Sequence, residues 1–172
     1  LEFAVRFANQ GFRLTTFSPG GGFAISYMRD QRPPAIAEYA QVITDALRDG
    51  CQRYSLPLPT LLIEPGRAIV GPAGVALYRV GAIKQIPGIR TYVSVDGGMG
   101  DNIRPALYGA EYEALVANHM EEQPEQVVSI AGKYCESGDI LVRNAFIPPV
   151  AYGDLIAIPA AGAYAPAMAS NY

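Results

Sequence analysis

The sequence predicts the C-terminal strands of an α/β barrel followed by an all-β barrel or sandwich, two architectures within 172 residues. Two observations carry that prediction. Up to about residue 72, strand-like runs alternate with long stretches of helical periodicity, the order of parallel βα units. Beyond it, short alternating runs follow one another between Gly, Pro and Asp turns, the pattern of an antiparallel β domain. A complete (β/α)₈ barrel needs roughly 250 residues, so residues 1–72 read as the last part of one and residues 73–172 as the β domain.

Each element has its own signal. LEFAVRFANQ has helical spacing (Leu1, Val5, Ala8) and meets Gly11, a natural stop. FRLTTF reads as a strand leading into SPGGGF. From Pro34 to Asp49, Ile36, Tyr39, Ala40, Ile43 and Leu47 share a helical face, and Gly50 is the expected terminus. Cys51 then falls just past the helix as a structural thiol. LPLPTLLIEPGR reads as an apolar strand closing at Glu64-Pro65. In the second part, VALYRVGAIKQI, RTYVSV, YEALVA, QVVSIAG, DILVRNAF and DLIAIPA read as strands, and GAYAPAMASNY as a short helix.

Composition excludes several functions. Half of the residues are apolar and the net charge is −3, enough for a core and without the basic clusters that nucleic acid or anionic membranes require. No apolar run approaches the ~18 residues of a membrane span. The start lacks a signal-peptide layout, and two cysteines give no disulfide framework, so a cytoplasmic location is expected. There is no Cys or His pair at zinc spacing, no G-x-S-x-G and no P-loop. A single histidine, His119, disfavours a Ser-His-Asp triad. No metal is expected.

Some segments carry candidate chemistry. DGGMGDNIRPALY, residues 96–108, holds Asp96, Asp101, Asn102, Arg104 and Tyr108 among three glycines. Arg104 precedes Pro105, which biases it to an extended conformation with an outward guanidinium. Arg beside Tyr suits bidentate recognition of a carboxylate; a polar surface hairpin is the plain alternative. In SPGGGF, Gly20, Gly21 and Gly22 allow close backbone approach to a phosphate, or make a flexible connection. In IEPGR, Glu64 at a strand end suits a protonated ring nitrogen, and Gly66 and Arg67 a phosphate or carboxylate. The alternative there is a solvated turn. KYCESGD places Cys135 and Glu136 in a turn between strands, where an exposed thiol can act as acid or nucleophile; a half-buried Cys at a strand end is equally compatible. In GAYAP, Tyr164 offers a hydroxyl to an anion or is a packed aromatic.

Taken together and in order, SPGGGF, EPGR, DGGMGDNIRPALY, CESGD and GAY resemble the diaminopimelate decarboxylases, within the alanine-racemase-like (fold type III) pyridoxal-phosphate decarboxylases. The resemblance covers essentially the whole chain. It implies an eight-stranded α/β barrel with a C-terminal β domain, pyridoxal 5'-phosphate as cofactor, and conversion of meso-2,6-diaminopimelate to L-lysine, the last step of lysine biosynthesis. It implies that Gly20–Gly22 and Glu64, Pro65, Gly66 and Arg67 bind the cofactor, with Glu64 on the pyridinium nitrogen. Arg67, Arg104 and Tyr108 would hold substrate carboxylates, and Tyr164 would contact cofactor and substrate. Cys135 would be the proton donor and Glu136 would engage the distal amino group, both reaching into the partner subunit's site of a homodimer.

A Glu after the cysteine separates CESGD from the similar ornithine decarboxylases, which carry Asp. Arginine and carboxynorspermidine decarboxylases remain alternatives, as does a non-catalytic dimerisation or binding module. The chain departs from the family where its cofactor-bonding lysine and ring-stacking histidine should stand. Its lysines, Lys84 and Lys133, and His119 match neither position. The family's closing strand is also missing. The expectation is the C-terminal half of a longer enzyme, inactive as a decarboxylase by itself.

Overall fold

The computed structural model describes residues 1–8 and 10–172. They form two compact units: Leu1–Ala24 with Arg32–Ala68, and Ile25–Gln31 with Ile69–Tyr172. The short segment Ile25–Gln31 thus leaves its sequence neighbours and joins the second unit.

The first unit opens with helix α1 (Glu2–Ala8); the expected helix also took in Asn9, which lies outside the described residues. Strand β1 (Thr16–Phe17) and strand β2 (Thr60–Leu61) pair in parallel, Thr16 opposite Thr60, and helix α2 (Ile36–Arg53) connects them. This is one βαβ unit. Its strands are far shorter than FRLTTF and LPLPTLLIEPGR suggested, the last ladder bond running from Leu62 N–H to the Phe17 carbonyl before the Glu64 turn. Along α2, Tyr39, Ile43, Leu47 and Cys51 turn inward, while Ile36 remains exposed.

Gly50 does not end α2. The helix runs on to Arg53 and closes in a Schellman arrangement, with Leu56 N–H on the Cys51 carbonyl, Ser55 N–H on the Gln52 carbonyl and Ser55 itself at φ +52°. Gly50 lies within the helix instead, with the end of the Leu1 side chain where its Cβ would stand. Cys51 is therefore inside the helix, and buried.

The chain passes between the units through helix α3 (Gly66–Val70). The second unit is a six-stranded sheet. Its strands are β3 (Ala76–Ile86), β4 (Arg90–Val95), β5 (Leu115–Val116), β6 (Gln126–Ala131), β7 (Ile140–Ile147) and β8 (Leu155–Ile158), in the order β5-β8-β3-β4-β6-β7. β3 pairs with β8 through Ala76–Arg79 and with β4 from Val80 onward, with a bulge at Gly81 where the partner changes.

The expected antiparallel pattern fails at one place: β4 and β6 are parallel, Thr91 opposite Val128. Some thirty residues separate them, length enough for the crossover that parallel strands need. That crossover carries DGGMGDNIRPALY, the two-residue β5 and the His119 turn, so YEALVA is mostly connection. Period-two alternation puts Tyr78, Val80, Val93, Val95, Val128, Ile130, Leu141, Ile147, Ile156 and Ile158 into one core. The terminal segment forms only a 3₁₀ turn, Pro166–Met168.

Candidate functional site

In the first unit the glycine loop and the IEPGR turn are joined backbone to backbone. Glu64 N–H donates to the Gly20 carbonyl at 3.0 Å, and Gly21 lies so close to the Glu64 carbonyl that a Cβ would overlap it. Ser18 Oγ donates to Glu64 Oε1 at 2.9 Å and accepts from Gly20 N–H at 3.0 Å. Glu64 is thus aimed by a hydroxyl while remaining exposed. Pro65 is half-buried beneath the turn, and Arg67 Nε donates to the Phe23 carbonyl at 3.2 Å.

Gly20 and Gly22 adopt φ of +82° and +87°, and nothing stands within 4 Å of a Cβ built on either or on Gly66. A bare, open backbone of this kind fits a phosphate, which needs close N–H groups and no side chain in the way. The residues present therefore fit pyridoxal phosphate: the glycine loop for its phosphate, and the positioned Glu64 carboxylate for a protonated ring nitrogen.

In the second unit, Arg104 departs from the expected geometry. It is the first residue of helix α4 (Arg104–Tyr108), not an extended residue before Pro105. A proline is tolerated in the first helical turn, where its missing N–H is not needed. Asn102, almost fully buried, accepts the Arg104 N–H at 3.3 Å, and Gly109 at φ +62° closes the helix.

The guanidinium does not point outward either. Nη1 donates to Tyr112 Oη. The Arg104 Cζ lies 4.7 Å from the Tyr27 ring centroid, 5.6 Å from Tyr112 and 5.9 Å from Tyr164. Rings at these distances attract a cation through their negative faces. Tyr108 ends the same helix and is exposed.

Asp139, 2 % exposed, ties the DGGMGDN loop to the CESGD turn. Its Oδ1 accepts Met99 N–H at 2.6 Å and its Oδ2 accepts Tyr134 N–H at 2.8 Å. Gly98 and Gly132 pack against the same carboxylate so closely that side chains there would overlap it. These bonds hold the turn that carries Cys135, which is exposed. Glu136, also exposed, accepts the Tyr172 hydroxyl, which raises the phenol's pKa above its ordinary value. Tyr164 sits at φ +64°, a strained setting for a non-glycine residue.

The structure therefore brings Gly20–Gly22 together with Glu64–Arg67 in the first unit. In the second it brings Arg104 together with Tyr164. Sequence reasoning missed Tyr27, Tyr112 and Asp139. Asp139 closes the CESGD motif and was there to be found; Tyr27 and Tyr112 reach Arg104 only through the fold.

The chain is similar to known proteins in sequence and fold. A family model described as "Pyridoxal-dependent decarboxylase, C-terminal sheet domain" matches residues 23–162. The chain is 52 % identical over 153 residues to the diaminopimelate decarboxylase of Bacillus subtilis, covering 89 % of this chain and 35 % of that protein. Among solved structures, diaminopimelate decarboxylase from M. jannaschii in complex with L-lysine superimposes with a TM-score of 0.87 at 34 % identity, over 99 % of this chain and 38 % of that one. A lysine/ornithine decarboxylase of Vibrio vulnificus bound to cadaverine reaches 0.81 at 25 % identity, over 99 % and 44 %. The chain spans about a third of the length of the curated relatives it matches.

Proposed function

The chain belongs to the pyridoxal-dependent decarboxylases, whose C-terminal sheet domain it carries, and from that premise we propose that it is part of an enzyme converting meso-2,6-diaminopimelate to L-lysine and carbon dioxide. The observation that carries this reading is Arg104, a guanidinium fixed by a hydroxyl and aromatic faces. A diamino-acid substrate with a single carboxylate, such as ornithine, offers no distal carboxylate to such a group, whereas a substrate with two carboxylates does. The higher identity to diaminopimelate decarboxylases than to the lysine/ornithine enzyme points the same way.

In this reading residues 1–72 are the last part of the cofactor-binding barrel and residues 73–172 the sheet domain. Pyridoxal phosphate, when bound, supplies the electron sink that allows the carbon–carboxyl bond to break. The chain's own residues do the rest. Gly20, Gly21, Gly22, Gly66 and Arg67 hold the phosphate. Glu64, aimed by Ser18, keeps the ring nitrogen protonated. Arg104, with Arg67, Tyr108 and Tyr164, orients the substrate through its carboxylates. The Cys135 thiol holds the proton that replaces the departing carboxyl, and Glu136 receives the distal ammonium. Both act across a homodimer interface, in the cytoplasm.

The test is turnover by the full-length parent protein, assayed as carbon dioxide release from meso-diaminopimelate, ornithine, lysine, arginine and carboxynorspermidine. A preference for meso-diaminopimelate on the order of a hundredfold or more in kcat/KM is expected. Preference for a monocarboxylate overturns the substrate assignment, and no turnover with any of them favours a non-catalytic module. Cys135→Ala should lower kcat by a factor of about 10².

A further inference from the structure

We propose that Tyr27 and Tyr112 are positioning residues that present the Nε–Nη2 edge of Arg104 to a substrate carboxylate. The inference rests on the decarboxylase reading above and deepens it, since neither tyrosine belongs to the motifs that suggested that reading.

Geometry carries the argument. A guanidinium can grip a carboxylate with two parallel hydrogen bonds along more than one edge, so a selective site must dictate which edge faces the ligand. Tyr112 Oη accepts from Nη1, which leaves Nε and Nη2 without a protein acceptor among the described residues. Tyr27 sets the plane, its ring centroid 4.7 Å from Cζ. The two rings brace one another edge to face, centroids 5.1 Å apart at 78°. Tyr112 is 1 % exposed, so its hydroxyl has a single permitted position.

The segment carrying Tyr27 is itself anchored beside Tyr112. Arg29 N–H donates to Glu113 Oε1 at 2.8 Å and Arg29 Nε to Oε2 at 3.2 Å. This explains why Ile25–Gln31 packs with the sheet unit rather than with its sequence neighbours.

A second observation is independent of the first. The Tyr27 hydroxyl is buried without a hydrogen-bond partner among the described residues. Were the ring only a wall for Arg104, phenylalanine would serve without the desolvated hydroxyl. The unpartnered hydroxyl sits on the ring that faces the Arg104 cation, so this tyrosine is kept at a cost that packing alone does not explain.

The experiment is steady-state kinetics and calorimetric binding of meso-diaminopimelate on the full-length enzyme, with Tyr27→Phe, Tyr112→Phe and Arg104→Lys alone and combined. Tyr112→Phe should raise KM and Kd by about tenfold while kcat stays within about twofold. Tyr27→Phe should raise both constants about threefold, without lowering the melting temperature. In the Arg104→Lys background, where no guanidinium remains to be oriented, either tyrosine change should add less than about twofold.

Constants unchanged in both single variants, or losses that multiply fully in the Arg104→Lys background, overturn the proposal in favour of a packing role. Absence of turnover by the wild-type enzyme overturns the decarboxylase reading and this inference with it. Turnover with unaffected variants overturns the inference alone.

Discussion

Several glycines of the sheet unit and two of the SPGGGF loop, Gly20 and Gly22, are present for different reasons. In the sheet unit, Cβ atoms at Gly97, Gly98, Gly100, Gly132 and Gly162 would overlap Tyr78, Asp139, Tyr134, Asp139 again and the Val70 carbonyl. They are small because something already fills the space. Gly20 and Gly22 have positive φ and open space. There the left-handed backbone favours glycine, and no neighbour stands where a side chain would go. The buried hydrophobic residues divide likewise. The first unit contributes Ala4, Phe23, Leu47 and Cys51, whereas the core cluster belongs to the sheet unit. Both units nonetheless leave large apolar side chains exposed, among them Phe3, Phe12, Leu58 and Leu62 in the first and Leu77, Ile89, Val127 and Phe146 in the second.

The sharpest way to break this comparison is Gly162→Ala. The new methyl would meet the Val70 carbonyl and the backbone of Gly74, neither of which can swing aside as a side-chain end does. A loss of about 3 kcal/mol or more is expected in calorimetric unfolding. A loss below about 1 kcal/mol would show that the close approach relaxes, and that filled space is not what fixes these glycines.

Asp139→Asn ranks next. Both carboxylate oxygens accept main-chain N–H groups, and an amide offers only one acceptor oxygen, so one N–H meets an NH₂. Destabilisation of about 2 kcal/mol is expected, together with faster amide exchange at Met99 or Tyr134. Equal protection of both amides would remove Asp139 as the tie between the two loops.

How far these features were legible in the sequence differs by type. Alternation exposed β3, β4, β6, β7 and β8 because each buries one face against a common core, and the pattern is local. The parallel pairing of β4 with β6 was not local: it depends on which strand occupies the edge after a long crossover. Gly50 was misread because a glycine that stops a helix and one that admits a neighbour look the same in sequence, and Ser55 took the left-handed position instead. Arg104 was misread because the bias against a helix before proline is only a bias. Its contact residues Tyr27 and Tyr112 lie 77 and 8 residues away in sequence, and only the fold puts them around one cation.

Gly22→Ala tests the other side of the comparison. With no atom to strike, the change meets only the strain of φ +87°, about 1 kcal/mol. Its larger effect should fall on the cofactor: weaker pyridoxal phosphate binding by the full-length protein, read by absorbance titration. A variant as unstable as Gly162→Ala, with cofactor affinity intact, would mean that this loop too is shaped by packing.

The smallest effect lies in the sheet unit, at its rim. His119 lies between two carboxylates, Nδ1 2.9 Å from Glu122 Oε1 and Nε2 3.3 Å from Asp154 Oδ1. The Glu122 hydrogen bond, followed by that of Asp154, raises the imidazole pKa above its ordinary value. A raised pKa in the folded state means that this stabilisation is complete below the unfolded value near pH 6.5 and fades as pH rises through the folded value. Asp154 works in the opposite sense. The Ala151 N–H, then Asn118, then His119 hold its pKa below the usual carboxylate value, so its contribution is lost only as the solution becomes strongly acidic. His119→Gln should therefore lower the melting temperature at about pH 5.5 and leave it nearly unchanged at about pH 8.5. Half-exposed as the ring is, the shift should be small and should shrink further in salt. A larger shift at the alkaline end would mean that His119 holds this corner as a neutral hydrogen-bonding ring rather than as a cation.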